Sequence, residues 1–257
     1  MQIEVALSPA EFPAIAARDL RATTCVVFDV LRATSSMLTA LNNGAEAIIP
    51  VSEISEALAI RQKQPSVLLA GERNGLRIGR ELTGGIDFDL GNSPRDFGAE
   101  KIRGKTIAWT TTNGTRALRA CAHAEMVLLG ALANLRVLAD ILDQLRPQNL
   151  LLICAGTFEA AAFEDLFAAG ALIDSLQHLT AKEHCSDAAQ LVWHAYRHVF
   201  DDAALIASSL NARRLLANPD LAPDVAICLQ RDTVQFNASL LRDGTVRAMP
   251  GFGAKLA

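Results

Sequence analysis

Paired cysteines are missing from this chain. Its five cysteines (Cys25, Cys121, Cys154, Cys185, Cys228) are scattered through 257 residues, mostly in apolar stretches, with no C-x-x-C spacing. That pattern argues for reduced core thiols in a cytoplasmic protein and against a zinc site. A basic excess is missing too. The net charge of −4 argues against a nucleic-acid binder, which would carry a basic stripe. An anionic ligand would therefore be held by local arginines or a metal ion, not by the overall field. No apolar run reaches the ~18 to 20 residues that span a bilayer. Met1-Gln2-Ile3-Glu4-Val5 lacks the basic region and apolar core of a signal peptide. Aromatics are few, at 5%, but apolar residues reach 51%, which suits an ordinary globular α/β protein rather than a disordered one. Repeats, linkers and low-complexity tracts are absent.

What is present alternates between strand and helix patterns. Ile3 to Leu7 reads as a short strand, and Ser8-Pro9 opens a helix to about Arg18. Thr24 to Val30 is an apolar β-former run, the pattern of a buried strand. Thr34 to Asn43 has helical spacing and stops at Gly44. Ala47 to Val51 is a strand, followed by a helix capped by Ser52 and ended near Pro65. Val67 to Ala70, Thr106 to Thr110, Met126 to Leu129 and Leu150 to Cys154 are further strands. Thr115 to Cys121 and Asn134 to Leu145 are helices. Helical patterns follow at Glu164 to Leu179, Ala188 to Phe200 and Ser208 to Leu216. An apolar segment, Val225 to Leu229, follows Ala222-Pro223-Asp224. Asp232 to Met249, with a turn at Asp243-Gly244, reads as a terminal hairpin. The alternation predicts one domain over residues 1–257, a three-layer α/β/α fold with a mostly parallel, mixed sheet. The apolar, alanine-rich helices beyond Leu166 suit a homodimer surface as well as a core.

In such a sheet, ligands bind where strands end and helices begin. Five polar clusters stand at such places or between them. Asp29-x-x-Arg32-x-Thr34 follows the second strand. Its aspartate suits Mg²⁺ ligation or attack on phosphorus, and a local ion pair with a helix cap is the plainer reading. Gly71-Glu72-Arg73-Asn74-Gly75 offers close backbone approach and an arginine fork, or an ordinary turn. Asp87-Phe88-Asp89-Leu90-Gly91-Asn92-Ser93-Pro94 puts two carboxylates on one side of an extended segment, or forms a solvated turn. Thr110-Thr111-Thr112-Asn113-Gly114-Thr115-Arg116 combines hydroxyls, a glycine and a helix start, an anion cradle that lacks the lysine and spacing of a P-loop. Cys154-Ala155-Gly156-Thr157 leads to Glu164-Asp165. These acids either complete a metal site or offset a helix dipole. Cys154 reads as a packed thiol before a nucleophile, since no C-x₅-R loop follows. His194 and His198 have the i, i+4 spacing of a metal pair but no adjoining carboxylate motif. Asp224 and Asp232, flanking Cys228, are candidate outer-shell groups. Together the clusters form an inventory for Mg²⁺-assisted chemistry on a phosphorylated, carboxylated small molecule.

With those residues in place, the chain resembles the 2-phosphosulfolactate phosphatase family. The matching motifs are Phe28-Asp29-Val30-Leu31-Arg32-Ala33-Thr34-Ser35, Ala70-Gly71-Glu72-Arg73-Asn74-Gly75, Asp89-Leu90-Gly91-Asn92-Ser93-Pro94, Thr111-Thr112-Asn113-Gly114-Thr115-Arg116, and Glu164-Asp165-Leu166 leading into Ala169-Gly170-Ala171-Leu172. The resemblance covers residues 24 to 175, in the family's order. The chain departs from the family at Gln235-Phe236-Asn237-Ala238, where a Val-Pro pair is usual, and at Thr157 to Phe163. The resemblance implies an α/β/α fold and a Mg²⁺-dependent phosphatase of 2-hydroxycarboxylate phosphate esters. In the coenzyme M pathway of archaea such an enzyme makes sulfolactate. It also implies Mg²⁺ held by carboxylates drawn from Asp29, Glu72, Asp89, Glu164 and Asp165. The phosphoryl group would lie against Thr111, Thr112, Asn113, Gly114, Thr115 and Arg116, with Asn92 and Ser93 nearby. Arg32 and Arg73 would take the carboxylate and a sulfonate. Asp29 is the first candidate nucleophile and a metal-activated water the second. The competing expectations are a non-catalytic protein that binds a phosphorylated acid, and a hydrolase or phosphotransferase working through Cys154.

Overall fold

The structure is a computed structural model and describes residues 1–199 and 203–249. The strands are β1 (Gln2–Ala6), β2 (Thr23–Phe28), β3 (Ala47–Pro50), β4 (Leu68–Arg73), β5 (Leu76–Arg77), β6 (Thr106–Thr110), β7 (Met126–Gly130), β8 (Asn149–Cys154), β9 (Ala238–Leu240) and β10 (Val246–Ala248). The helices are α1 (Phe12–Ala16), α2 (Ala33–Asn42), α3 (Ile54–Lys63), α4 (Arg80–Thr83), α5 (Ala99–Ile102), α6 (Gly114–Ala120), α7 (Leu135–Leu145), α8 (Phe163–Ser175), α9 (Asp187–Val199), α10 (Ala203–Ala207), α11 (Leu210–Leu216) and α12 (Ala222–Cys228).

All ten strands join one mixed, mostly parallel sheet in the order β1-β8-β2-β7-β9-β10-β3-β6-β4-β5. The expected three layers follow from the strands' alternation. In β2, Cys25 and Val27 face a core built with α1, α2 and α6, while Val26 and Phe28 face one built with α7, α8 and α9. A strand apolar on both faces has to lie between two helical layers. β2 does so, with every residue buried. Helix α7 shows the matching helical period, burying Leu135, Leu138, Ile141 and Leu142 and ending at a left-handed Arg146 before Pro147. Most of α8 is core. Leu191 and Leu210, later in the chain, stay exposed at 62% and 64%.

The expected terminal hairpin forms, but in the middle of the sheet. β9 and β10 sit between β7 and β3, antiparallel to their neighbours. The two parallel sets, β1-β8-β2-β7 and β3-β6-β4, therefore run in opposite senses. Five steps separate β2 from β6, and at roughly 20–25° of twist per step they turn β6 by on the order of 100°. The segments that follow β2 and β6 come together beyond the strands, where a Cβ on Gly114 would lie 2.5 Å from Asp29 Oδ2. Local differences are smaller. The helix at 54 is capped by Glu53 rather than Ser52, through a box with Glu56. β4 runs three residues past Ala70, which carries Glu72 into the site. The segment at 225 is helical, within α12, and the helix expected over 188–200 is α9, which ends at Val199, with Phe200 outside the described residues.

Candidate active site

A cavity of about 190 Å³ opens where the two strand sets meet. Its lining includes Asp29, Arg32, Glu72, Asn92, Thr112 and Asn113, joined by Asn211 and Arg214 from α11 and Asn218 from the turn before α12. Asp29 follows β2 directly. Its Oδ1 accepts the Ala33 N–H at 3.0 Å, and its own N–H donates to Thr34 Oγ1 at 3.0 Å. The apolar strand thus stops where side chains begin to cap α2. The Leu31–Arg32 peptide bond is cis. Gly114 packs so close that a Cβ there would lie 2.5 Å from Asp29 Oδ2, so a side chain at 114 would displace the carboxylate. Burial pushes the Asp29 carboxyl up to about 7. The Ala33 N–H opposes this, Glu72 and Glu164 add to it, and Arg32 opposes it again.

Glu72 ties two of the clusters together. Its Oε1 accepts from the Thr112 N–H at 2.8 Å and Thr112 Oγ1 at 2.9 Å, and its Oε2 accepts the Gly75 N–H at 2.7 Å. This is possible because β4 and β6 are parallel neighbours, with Gly71 opposite Thr110. A Cβ on Gly71 would lie 2.1 Å from the Thr110 carbonyl oxygen, so only glycine allows the approach. Arg32 is buried. Its Nη1 donates to Asp224 Oδ2 and its Nη2 to the Gly75 carbonyl, both at 2.6 Å.

Glu164 and Asp165, in the first turn of α8, are buried at 1% and 2% exposure. Asp165 accepts the Val30 N–H at 2.8 Å and the Gly156 N–H at 2.9 Å, and so clamps the ends of β2 and β8 together. Burial holds its carboxyl well above the usual carboxylate range, with Asp29 and Glu164 adding to the rise. Glu164 Oε1 accepts from Asn211 Nδ2 at 3.0 Å, and its Oε2 is buried without a partner.

Other predicted residues stand elsewhere. Asp89 does not reach the cavity. It accepts the Leu69 N–H at 2.7 Å and pairs with Arg61, while Asp87 pairs with Arg80. The extended segment is thus held by local ion pairs rather than presenting two acids to a ligand. Arg73 donates to Glu72 O at 2.7 Å and Thr110 Oγ1 at 3.1 Å and does not line the cavity. Arg116 pairs with Glu159 at 3.0 Å. Ser93 donates to Asp224 Oδ1 at 2.7 Å. Thr111 and Thr115 bond each other, N–H to Oγ1 in both directions at 3.2 Å. Asn113 Nδ2 donates to the carbonyls of Gly156 at 3.1 Å and Phe158 at 2.8 Å. The cradle is therefore narrower than its sequence suggests. The Thr112 N–H is taken by Glu72, and the amides of Asn113 and Gly114 find no acceptor among the described residues. His194 and His198 lie on α9 and do not line the cavity. Cys154 is fully buried, and burial raises its thiol well above the ordinary value.

The C-terminal contribution has little trace in sequence. Asp224, flagged there only as an outer-shell candidate, is fully buried and receives Arg32, Arg95 Nε at 2.8 Å and Ser93. Arg214 and Asn211 lie in a stretch whose only legible signal is helical spacing. Among the described residues, no three carboxylate, histidine or cysteine groups form a ready metal cage. Mg²⁺ beside a phosphate commonly takes one or two carboxylates, with substrate oxygens and water completing its shell. The buried, unpartnered Glu164 Oε2 and the carboxylate of Asp29 fit that arrangement.

The family model for 2-phosphosulpholactate phosphatase matches residues 10–240. Curated relatives carry the name "Probable 2-phosphosulfolactate phosphatase". The one from Caldanaerobacter subterraneus subsp. tengcongensis is 38% identical over 239 residues, covering 91% of this chain and 94% of the relative. The Clostridium novyi protein is 33% identical over 235 residues, covering 91% and 94%. The Thermotoga maritima protein is 35% identical over 209 residues, covering 81% and 85%. The strand ends that build this cavity all lie within the matched span, and the chain belongs to the 2-phosphosulfolactate phosphatase family.

Proposed function

We propose that this chain is a Mg²⁺-dependent phosphatase that hydrolyses 2-phosphosulfolactate, or a related 2-hydroxycarboxylate phosphate ester, to the free hydroxy acid and phosphate. Family membership supports the phosphatase reading. The observation that carries it is the placing of Asp29 and Glu72 on the cavity wall beside Arg32 and Arg214, with Glu164 buried close enough to act on Asp29. A protein that only bound a phosphorylated acid would need the arginines and amides. Carboxylates would repel its ligand unless a cation lay between them. Bound Mg²⁺ would neutralise charge on the phosphoryl oxygens and on these carboxylates.

The chain's own residues account for the remaining steps. The amides of Asn113 and Gly114 are the donors available to phosphoryl oxygens, and Arg32, fixed by Asp224, faces the same space. Asp29 is the nucleophile. Its Oδ2 attacks phosphorus, the P–O bond to the hydroxy acid breaks, and the leaving oxygen takes a proton from water. A second water then cleaves the aspartyl phosphate, releasing phosphate and restoring Asp29. No helix among the described residues is long and apolar enough to cross a membrane, and the five cysteines are free and buried, which suits a cytoplasmic enzyme.

The test is a phosphate-release screen over 2-phosphosulfolactate, 2-phospholactate, 2-phosphoglycolate and simple phosphate esters, with and without Mg²⁺. Release from the hydroxy-acid esters, lost in EDTA and restored by Mg²⁺, is the expected result. Full activity in a metal-free preparation would remove the metal from the proposal. Tight binding without turnover would favour the binding protein.

A further inference from the structure

The cavity wall carries two arginines, and they are not equivalent. Arg32 is 3% exposed and its charge is met by Asp224, itself fully buried. Arg214 has no carboxylate partner among the described residues. It is also held in place. Its guanidinium lies over the Phe158 ring, 4.8 Å from the centroid, a geometry that restricts the side chain and leaves the N–H fork free.

Phe158 is fixed in turn. It has a left-handed backbone, φ +55°, and its carbonyl receives Asn113 Nδ2 at 2.8 Å. The neighbouring polar groups are already committed. Asn211 donates to the Leu31 carbonyl at 2.7 Å and to Glu164, and Asn218 Oδ1 accepts the Asp220 N–H at 3.0 Å. Asn92, on the same lining and 6% exposed, has an amide oxygen without a partner. As an acceptor, this oxygen would be met by a water or a donor group of a ligand, not by an oxyanion.

We propose that Arg214 binds the second oxyanion of the substrate, the carboxylate or sulfonate carried beside the phosphate ester, and so selects acid esters over neutral ones. This rests on the phosphatase reading above and adds a subsite to it. The phosphate meets the carboxylates and free amides at the ends of β2 and β6. The acid group meets Arg214 at the α11 side of the same cavity, where no other uncompensated cation stands among the described residues. A forked guanidinium matches the paired oxygens of either acid group.

The experiment compares wild type, R214Q and R213Q in phosphate release from 2-phosphosulfolactate, 2-phospholactate and isopropyl phosphate. Arg213 is exposed and does not line the cavity, so R213Q removes the same charge one residue away. R214Q is expected to lower kcat/KM on the acid esters about 10- to 100-fold more than on isopropyl phosphate, the range of a lost charge-assisted hydrogen bond. R213Q is expected to show no such preference. A loss confined to 2-phosphosulfolactate assigns Arg214 to the sulfonate, and a loss on both acid esters assigns it to the carboxylate. Equal loss on all three esters, no loss, or the same pattern in R213Q overturns the proposal. If wild type releases phosphate from none of them, the phosphatase reading fails, and calorimetric titration still decides Arg214. Weaker binding of 2-phosphosulfolactate, but not of isopropyl phosphate, in R214Q would uphold it. Unchanged binding, or none by wild type, would overturn it.

Discussion

Arg32 Nη1 donates to Asp224 Oδ2 at 2.6 Å across 192 residues of chain, with both side chains closed to solvent. The pair holds the arginine of the first motif against the last helix before the hairpin. Asp224 also receives Ser93 and Arg95, so one buried carboxylate organises three segments. Removing it leaves the Arg32 charge buried and unpaired. Asp224→Ala should therefore cost about 3–5 kcal/mol in urea unfolding and lower turnover as well. A loss below ~1 kcal/mol would show that the pair behaves like a surface bridge.

Asp29→Asn keeps the size and shape of the side chain and removes the attacking oxygen's charge. Turnover should fall about 10³-fold or more, while far-UV circular dichroism stays unchanged. Acid quenching during turnover should trap the phosphoryl group on the Asp29 carboxylate of wild type, located by mass spectrometry. Turnover with no phosphoryl group trapped on Asp29 would make Asp29 a base or a metal ligand. Full turnover by the asparagine variant would exclude every such role.

The raised Asp29 carboxyl, at about 7, has a thermodynamic consequence. The folded protein keeps a proton there between about pH 4 and pH 7, and an unfolded aspartate, with its ordinary pKa near ~3.9, does not. The folded state binds more protons in that window, so stability falls as pH rises through it and levels off above. Asp165 acts in the same direction. In EDTA, the Tm by calorimetry should drop from pH 5 to pH 7.5, and Asp29→Asn should flatten the slope. A Tm that rises over this range in EDTA would contradict the burial of a protonated Asp29.

Cys154 closes the third reading. It is fully buried at the end of β8, with its thiol raised by burial, so little thiolate forms and reagents cannot reach it. Iodoacetamide should leave phosphate release unchanged, and Cys154→Ala should retain activity. Rapid, stoichiometric inactivation by iodoacetamide, traced to Cys154 by mass spectrometry, would reverse that conclusion.

Local order was legible in the sequence. The apolar run of β2, the spacing of α7 and the turn at Asp243-Gly244 each depend on contacts within a few residues, and each element forms where its pattern lies. The motif residues Asp29, Glu72, Thr112 and Asn113 also reach the cavity, because each follows a strand that the alternation already marks. Long-range pairing could not be read in the same way. Nothing in three-residue strands says that β9 and β10 enter the middle of the sheet, reversing one parallel set against the other. Motif membership did not separate Asp89 and Arg73, which hold the scaffold, from Glu72, next to Arg73 in the same motif, which reaches the cavity. Arg214, a cavity arginine without a carboxylate partner among the described residues, lies in a helix whose pattern shows only an amphipathic surface. By itself, the sequence determined the elements and the chemical inventory, since propensity and periodicity are local. Only the tertiary structure decided which charges are paired and which are left for a ligand. That depends on neighbours brought together from far along the chain, as Asp224 is to Arg32 and Phe158 to Arg214.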